Sequence, residues 1–336
     1  DVIVVQDGDD SLVQIIDLTG PSVLNEANQA VVSSVHRTIL GRDRARADAQ
    51  ATTEGEESSK SVDGTPVTAW GAAFGELRER GDDGTSLAFD HRYAGLVGGY
   101  ERSYGNYIFG VTAGFALGNV ETDISSFETD VQTFFGGVYG VVPLGRFNVT
   151  GSLLAGFEHF ENERQVFDNV DGQLTATSDV NNTFVSASVT ADTEVELGAG
   201  VSLRPSASAN YTVSIFGDSA ESGAGGANLD FDSRTAHTFG TRAQLAAGYY
   251  TGTVDLEIRA GVDGRFSNEG DIDGNLAGQP FSLGVSDSDS NVSGFVGTSA
   301  TLTEFDRFRI SADVEYRQGQ RKERGIAAGI GLSVDF

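Results

Sequence analysis

The chain contains no cysteine and no methionine, five prolines and a single tryptophan. Without cysteine there is no disulfide, no zinc–thiolate site and no thiol nucleophile. Without methionine, a chain that opens on Asp1 is expected to carry its translation start and any signal peptide upstream. Basic residues are also scarce. Lys and Arg number 22 against 49 Asp and Glu, a net charge of −27, which excludes nucleic acid as a partner because phosphates attract cations. No stretch reads as a membrane helix. Ser103–Val120 is free of charge, but it holds four glycines and two asparagines, and its apolar residues alternate. A mean hydropathy of −0.18 argues against a helical membrane protein. It leaves a membrane barrel open, since the lumen of such a barrel is polar.

What the chain does have is period two. In "TVDLEIRAGVDGRF", residues 253–266, Val254, Leu256, Ile258, Ala260, Val262 and Phe266 share one parity. Asp255, Glu257, Arg259, Asp263 and Arg265 share the other. A strand sends alternate side chains to opposite faces, so one face here is apolar and the other densely charged. "RFRISADVEYRQ" repeats the pattern, with Ile310 and Val314 opposite Asp313 and Glu315. From residue 65 to the end such runs number about twelve. They begin near Val67, Asp90, Tyr107, Phe127, Phe147, Val180, Val201, Phe231, Thr253, Ser288, Phe308 and Arg324.

Tight connections ("YGN", "PLG", "YTGT", "EFD") alternate with long polar ones. The long ones are "ENERQVFDNVDGQLTATSD", "GDSAESGAGGANLD" and "SNEGDIDGNLAGQPFSLGVSD". That alternation fits an all-β, antiparallel, up-and-down transmembrane barrel; a Greek-key sandwich has no reason to keep it. The runs are 10 to 16 residues long, beyond the usual soluble strand of about 5–6 residues. Burying the charged parity in a dry core would cost several kcal/mol per ion, so the charged face is assigned to a wet lumen. The aromatics Trp70, Tyr107, Phe109, Phe147 and Phe157 are expected to form an interfacial girdle on the other face.

Upstream lie two shorter zones. Residues 1–21 open with two apolar runs around an acidic turn, expected to be a hairpin or the last rung of a larger β-structure. In residues 22–64, Leu24, Ala27, Val31, Val35 and Ile39 form one helical stripe over about residues 22–40. Ser22 is placed to cap it and Gly41 to end it, and a polar linker follows. A twelve-strand lumen admits one helix of about 10–12 Å diameter, and this slim helix is the natural occupant. Gly71, Ala73 and Gly75, Gly110, Gly114 and Gly118, and Gly325, Ala327, Gly329 and Gly331 are read as small lumenal positions that clear space for it. Arg37 is expected to pair with lumenal Asp255, Glu257, Asp263, Asp313 or Glu315.

Read together, the pre-barrel helix, "AWGAAFG" (Ala69–Gly75), "DHRYAGLVGGYERS" (Asp90–Ser103) and a last strand ending in Phe336 resemble the translocator domain of autotransporters, the type V secretion family. The resemblance implies an outer-membrane barrel of a Gram-negative bacterium that supports secretion and surface anchoring of its own N-terminal passenger. Residues 1–21 would be the end of that passenger. It implies a monomer in outer-membrane lipid. It also implies that the barrel-assembly machinery takes up the terminal strand, through Ile330, Leu332, Val334 and Phe336, by β-augmentation. Some family members cut themselves at an Asn pair in the helix; here Asn25 and Asn28 stand apart in "NEAN", and that motif is not matched. The alternative reading is a standalone plugged barrel, an adhesin or a small-solute channel.

No catalytic, cofactor or metal site is expected. His36, His91, His159 and His237 are scattered, without ligand spacing. "GDSA" at Gly217–Ala220 lacks the strand–helix context of a serine nucleophile and is read as a flexible outer loop. "NEGDIDGN" and "SDSDSN" lack a complete calcium-loop pattern.

Overall fold

The computed structural model describes residues 2–7, 10–15, 19–53, 67–82, 88–122, 127–168, 172–283, 289–305, 307–320 and 322–336. A hairpin of β1 (Val2–Asp7) and β2 (Asp10–Ile15) precedes one long helix, α1 (Thr19–Thr53). Then come β3 (Val67–Arg80), β4 (Phe89–Tyr104), β5 (Tyr107–Thr122), β6 (Phe127–Leu144), β7 (Phe147–Asp168) and β8 (Gly172–Asp192). A short β9 (Val195–Gly198) leads to β10 (Val201–Phe216), β11 (Ser219–Ala220), β12 (Leu229–Phe231), β13 (Arg234–Tyr250) and β14 (Val254–Asn268). The chain finishes with β15 (Ile272–Leu276), β16 (Gln279–Leu283), β17 (Asp289–Phe305), β18 (Phe308–Gly319) and β19 (Arg324–Asp335).

Twelve of these strands form a closed antiparallel barrel. Each pairs with its neighbour, β10 pairs across the small insertion with β13, and β19 returns to β3 with Ile326 opposite Leu77 and Val334 opposite Ala69. The Phe336 N–H donates to the Val67 carbonyl at 2.9 Å and pins the seam. Closure leaves no open edge, the condition for a sheet in hydrocarbon.

The tight turns lie at one end. Gly105 and Gly145 open the two-residue turns after β4 and β6 with φ of 61° and 64°, a left-handed conformation that glycine adopts without strain. The long connections lie at the other end. There β11, β12, β15 and β16 pair into a four-stranded sheet, so "GDSA" is not a flexible loop: Ser219 and Ala220 pair with Phe231 and Asp230.

The connection after β7 is also shorter than its polarity suggested. Period two continues through "ENERQV", with Glu161 and Glu163 outward and Asn162 and Val166 inward, so β7 and β8 extend as a hairpin well beyond Val180. The next barrel strand starts at Arg234 rather than Phe231, which belongs to the small sheet. The helix runs past Gly41, since a single internal glycine costs only about 1 kcal/mol.

Candidate functional site: the helix-filled lumen

Side chains of α1 from Val23 to Ile39 are almost all buried within the barrel. Val23, Leu24 and Ala27 pack with Phe89, Val120 and Phe160, at the end of the long connections. Val31, Val35 and Ile39 pack with Trp70, Phe74 and Phe135 further down. The helix therefore threads the lumen with its N-terminal end at the long connections and its C-terminal end towards the tight turns.

One wall, β3 to β8, supplies most of the apolar surface. Trp70 belongs to it. The ring is 6% exposed and donates to Tyr139 Oη at 2.8 Å, so Trp70 is no part of an outer girdle. The parity of β3 is the reverse of that expected: Trp70 and Phe74 point inward, Leu77 is 60% exposed, and Gly71, Ala73 and Gly75 share Leu77's face. The cause is cross-strand fit. Trp70 lies over Gly99 and Phe74 over Gly95, where any Cβ would collide with the ring. Gly110 and Gly114 do face the lumen, but Tyr139 and Phe135 lie across them. Those glycines make room for aromatic rings, which in turn meet the helix.

Polar groups of the helix are matched one by one. Asn28 donates to Glu158 at 2.8 Å and accepts from Ser214 at 3.0 Å, while Asn182 and Thr133 donate to the same carboxylate. Asn25 donates to Glu269 at 2.9 Å. Glu26 pairs with Arg80 and, at 3.1 Å, with Arg265. Ser34 bonds Tyr93 at 2.6 Å, and His36 sits between Ser152 and Ser186 at 2.8 and 2.9 Å.

The other wall, β10 to β19, is charged. Arg37 reaches Glu315 at 3.0 Å and Glu76 at 3.3 Å. Glu315 also takes Arg242 at 2.6 Å, Arg259 at 3.2 Å and Arg317 at 3.6 Å. Asp255 and Glu257 face Arg204, Asp263 pairs with Arg242, and Asp313 is the most exposed of the group beside Arg259.

Spacing alone missed Glu76, Tyr93 and Arg242; Glu158 and Arg317 lie on the polar parity that period two gives their strands, and only their partners were hidden. A signal for the helix contacts was present. Between residues 23 and 40 the polar positions are mostly uncharged (Asn25, Asn28, Ser33, Ser34, His36), as suits a polar face made to be buried.

Outside, Tyr107, Phe109, Phe147 and Phe157 are exposed, as are Ile330 and Leu332; Val334 is half-buried and Phe336 is 77% exposed. The other histidines lie apart: His91 is buried against Tyr93, His159 bonds Asn181 and His237 stacks on Tyr211.

The autotransporter β-domain family model matches residues 69–315. The fold resembles that of the translocator domain of autotransporter NalP from Neisseria meningitidis, with TM-score 0.65 and 15% identity over 88% of this chain and 98% of that one. It also resembles the β-domain of the Bordetella autotransporter BrkA, with TM-score 0.57 and 17% identity over 80% of this chain and 99% of that one. No curated protein sequence matches the chain.

Proposed function

The chain belongs to the autotransporter β-domain family, an outer-membrane barrel family, and on that premise we propose that it exports and surface-anchors the polypeptide joined to its N-terminus. The observation that carries this is the direction of α1. The tight turns of such barrels face the periplasm and the long connections face outward. A helix whose N-terminal end packs at the long connections leaves everything upstream of it on the cell surface. The downstream end stays on the periplasmic side, where β3 begins. Residues 1–21 are then the end of the passenger, residues 22–64 the pore helix and its linker, and residues 65–336 the anchor.

The outer face supports the same reading. Tyr107, Phe109 and Phe147 lie beside the tight turns, and Phe157 lies ten residues along β7 from Phe147. At a rise of about 3.3 Å per residue and a tilt of about 40°, this separates them by about 25 Å, the height of an apolar band between two aromatic girdles. The barrel is proposed to act as a monomer. Ile330, Leu332 and Phe336, outward on the terminal strand with Val334 between them, are proposed as the surface read by the assembly machinery.

The test is an epitope fused ahead of Asp1, behind a signal peptide, with protease added to intact cells. Loss of the epitope from a protected, heat-modifiable barrel is expected. An epitope retained in the periplasm of a folded barrel would overturn export and leave the plugged channel as the account.

A further inference from the structure

We infer that the barrel end at the long connections binds a small neutral molecule made of one aromatic ring and one hydroxyl, in a cavity between the four-stranded sheet and the helix. The site stands whether or not the chain exports a passenger.

The cavity measures about 100 Å³. Leu229 and Ile272, both fully buried, face it from the small sheet. Leu24 of α1 faces it from the helix, and Val180 and Phe216 from the barrel wall. Exposed Asp232 marks the side open to solvent. Two features hold the small sheet to β7 and β8. Thr177 and Ser222 exchange backbone hydrogen bonds of 2.8 and 2.9 Å, and the Arg164 guanidinium donates to both oxygens of Glu221 at 2.8 and 2.6 Å. The cavity is therefore part of the fold and not a gap between loose loops.

The lining sets the chemistry of the ligand. Charges beside the cavity are already spent in pairs. Arg164 is held by Glu221, and Arg234 by Glu269 at 2.8 Å, with its guanidinium 4.7 Å from the centre of the Phe216 ring. An ion would have to compete with these pairs, so a neutral molecule is favoured. Water is a poor tenant, because a buried water needs about two to four polar partners and the apolar side chains offer none. Spare hydrogen-bonding capacity is found on Asn162, which borders the cavity and is 7% exposed. Its Nδ2 gives one long bond of 3.4 Å to Ser178, directly opposite on β8, and its Oδ1 has no partner in the protein. An amide turns readily about its last torsion, and a hydroxyl both donates and accepts. Either end of the amide therefore suits a ligand hydroxyl.

Size sets the rest. A cavity of about 150 Å³ lined by apolar side chains takes up benzene. A smaller one, open on one side, holds a single ring with its edge at the mouth. Phe127, Phe216 and Phe231 in the lining supply aromatic surface for that ring to pack against.

The experiment is fluorine NMR of the full chain in detergent micelles, with para-fluorophenol and fluorobenzene as probes. Empty micelles give the partition baseline, and heat-modifiability is the check on folding. The phenol is expected to saturate at one molecule per barrel and to bind severalfold tighter than fluorobenzene, up to about tenfold, as a single hydrogen bond allows. Asn162→Leu keeps the size of the side chain and removes its polar end. It should reverse that order, because the hydroxyl is then buried unpaired. Ser219, half-buried on β11, borders the cavity; Ser219→Phe should occupy it and abolish binding of both probes. Uptake no greater than that of empty micelles, an order unmoved by Asn162→Leu, or binding that survives Ser219→Phe would each overturn the site.

Discussion

The two walls of the lumen are made by the same alternating pattern and do different work. From β3 to β8 the inward parity carries most of the aromatic and aliphatic side chains that meet the helix, with rings laid over glycines, alongside buried Glu76, Arg78, Arg80 and Glu158. From β10 to β19 the inward parity mixes Arg, Asp and Glu with Ser, Thr and Asn, and two cavities lie between it and the helix, bordered on their far sides by β3 and β8. Burying a Val or Ile side chain stabilises by about 1.5–3 kcal/mol, whereas a buried ion pair roughly breaks even against its desolvation. The dry wall therefore supplies the free energy that seats the helix. The charged groups supply direction, because Arg37 finds Glu315 on β18 and Glu76 on β3 at only one height and one rotation.

The largest expected effect comes from making the dry wall resemble the charged one. Val35→Asp puts a carboxylate among Phe74, Phe135 and Tyr139 with no cation beside it in that cluster. An unpaired charge in such a site costs several kcal/mol. The barrel should still fold, while the helix loses its seat and becomes open to protease added after solubilisation. A helix still protected in Val35→Asp would show that the dry wall does not hold it. Next is Phe135→Ala, which empties the space over Gly114 and under the helix together. A loss of about 3–5 kcal/mol in barrel stability is expected, read by urea titration in detergent. A loss under about 1 kcal/mol would mean that the neighbouring rings collapse into the gap.

Why one wall was more legible than the other follows from the same chemistry. Charges on β14 and β18 announce their parity, because no alternating strand can put Asp255, Glu257 and Arg259 on lipid. Strand number and nearly every strand start were readable for that reason. On β3 both parities of "AWGAAFG" are apolar, so nothing in the strand itself says which way Trp70 points. The answer lies in β4, where Gly95 and Gly99 fall opposite Phe74 and Trp70, and that register becomes visible only after pairing. The sheet at the end of the long connections was hidden because strands of two to five residues beside Gly- and Asp-rich stretches look like loops. Arg37 was legible as a cation facing carboxylates. Glu158 was legible as an inward carboxylate, but its partners Asn28, Thr133 and Asn182 were not, because those contacts join four separate elements.

The finest test separates ion pairs by their surroundings rather than their length. Arg242–Glu315 and Arg324–Glu79 are both 2.6 Å. The first lies deep in the charged wall, with the Glu315 side chain 1% exposed. The second lies at the end of the long connections, with side chains 66% and 53% exposed. Removing one partner of a buried pair leaves its mate uncompensated, at a cost of about 3–5 kcal/mol. Glu315→Ala should therefore be severe, because Arg37, Arg242, Arg259 and Arg317 lose the carboxylate they share, and it should be partly rescued by Arg242→Ala, which removes one of the stranded cations. Removing either partner of the exposed pair should change stability by about 0.2–1 kcal/mol, and the effect should fade as salt rises. Two double-mutant cycles in the folded barrel, each at low and high salt, measure this directly. Equal coupling in the two pairs would mean that water reaches Arg242 and Glu315 as freely as it reaches the rim, and the charged wall would then be solvent rather than protein.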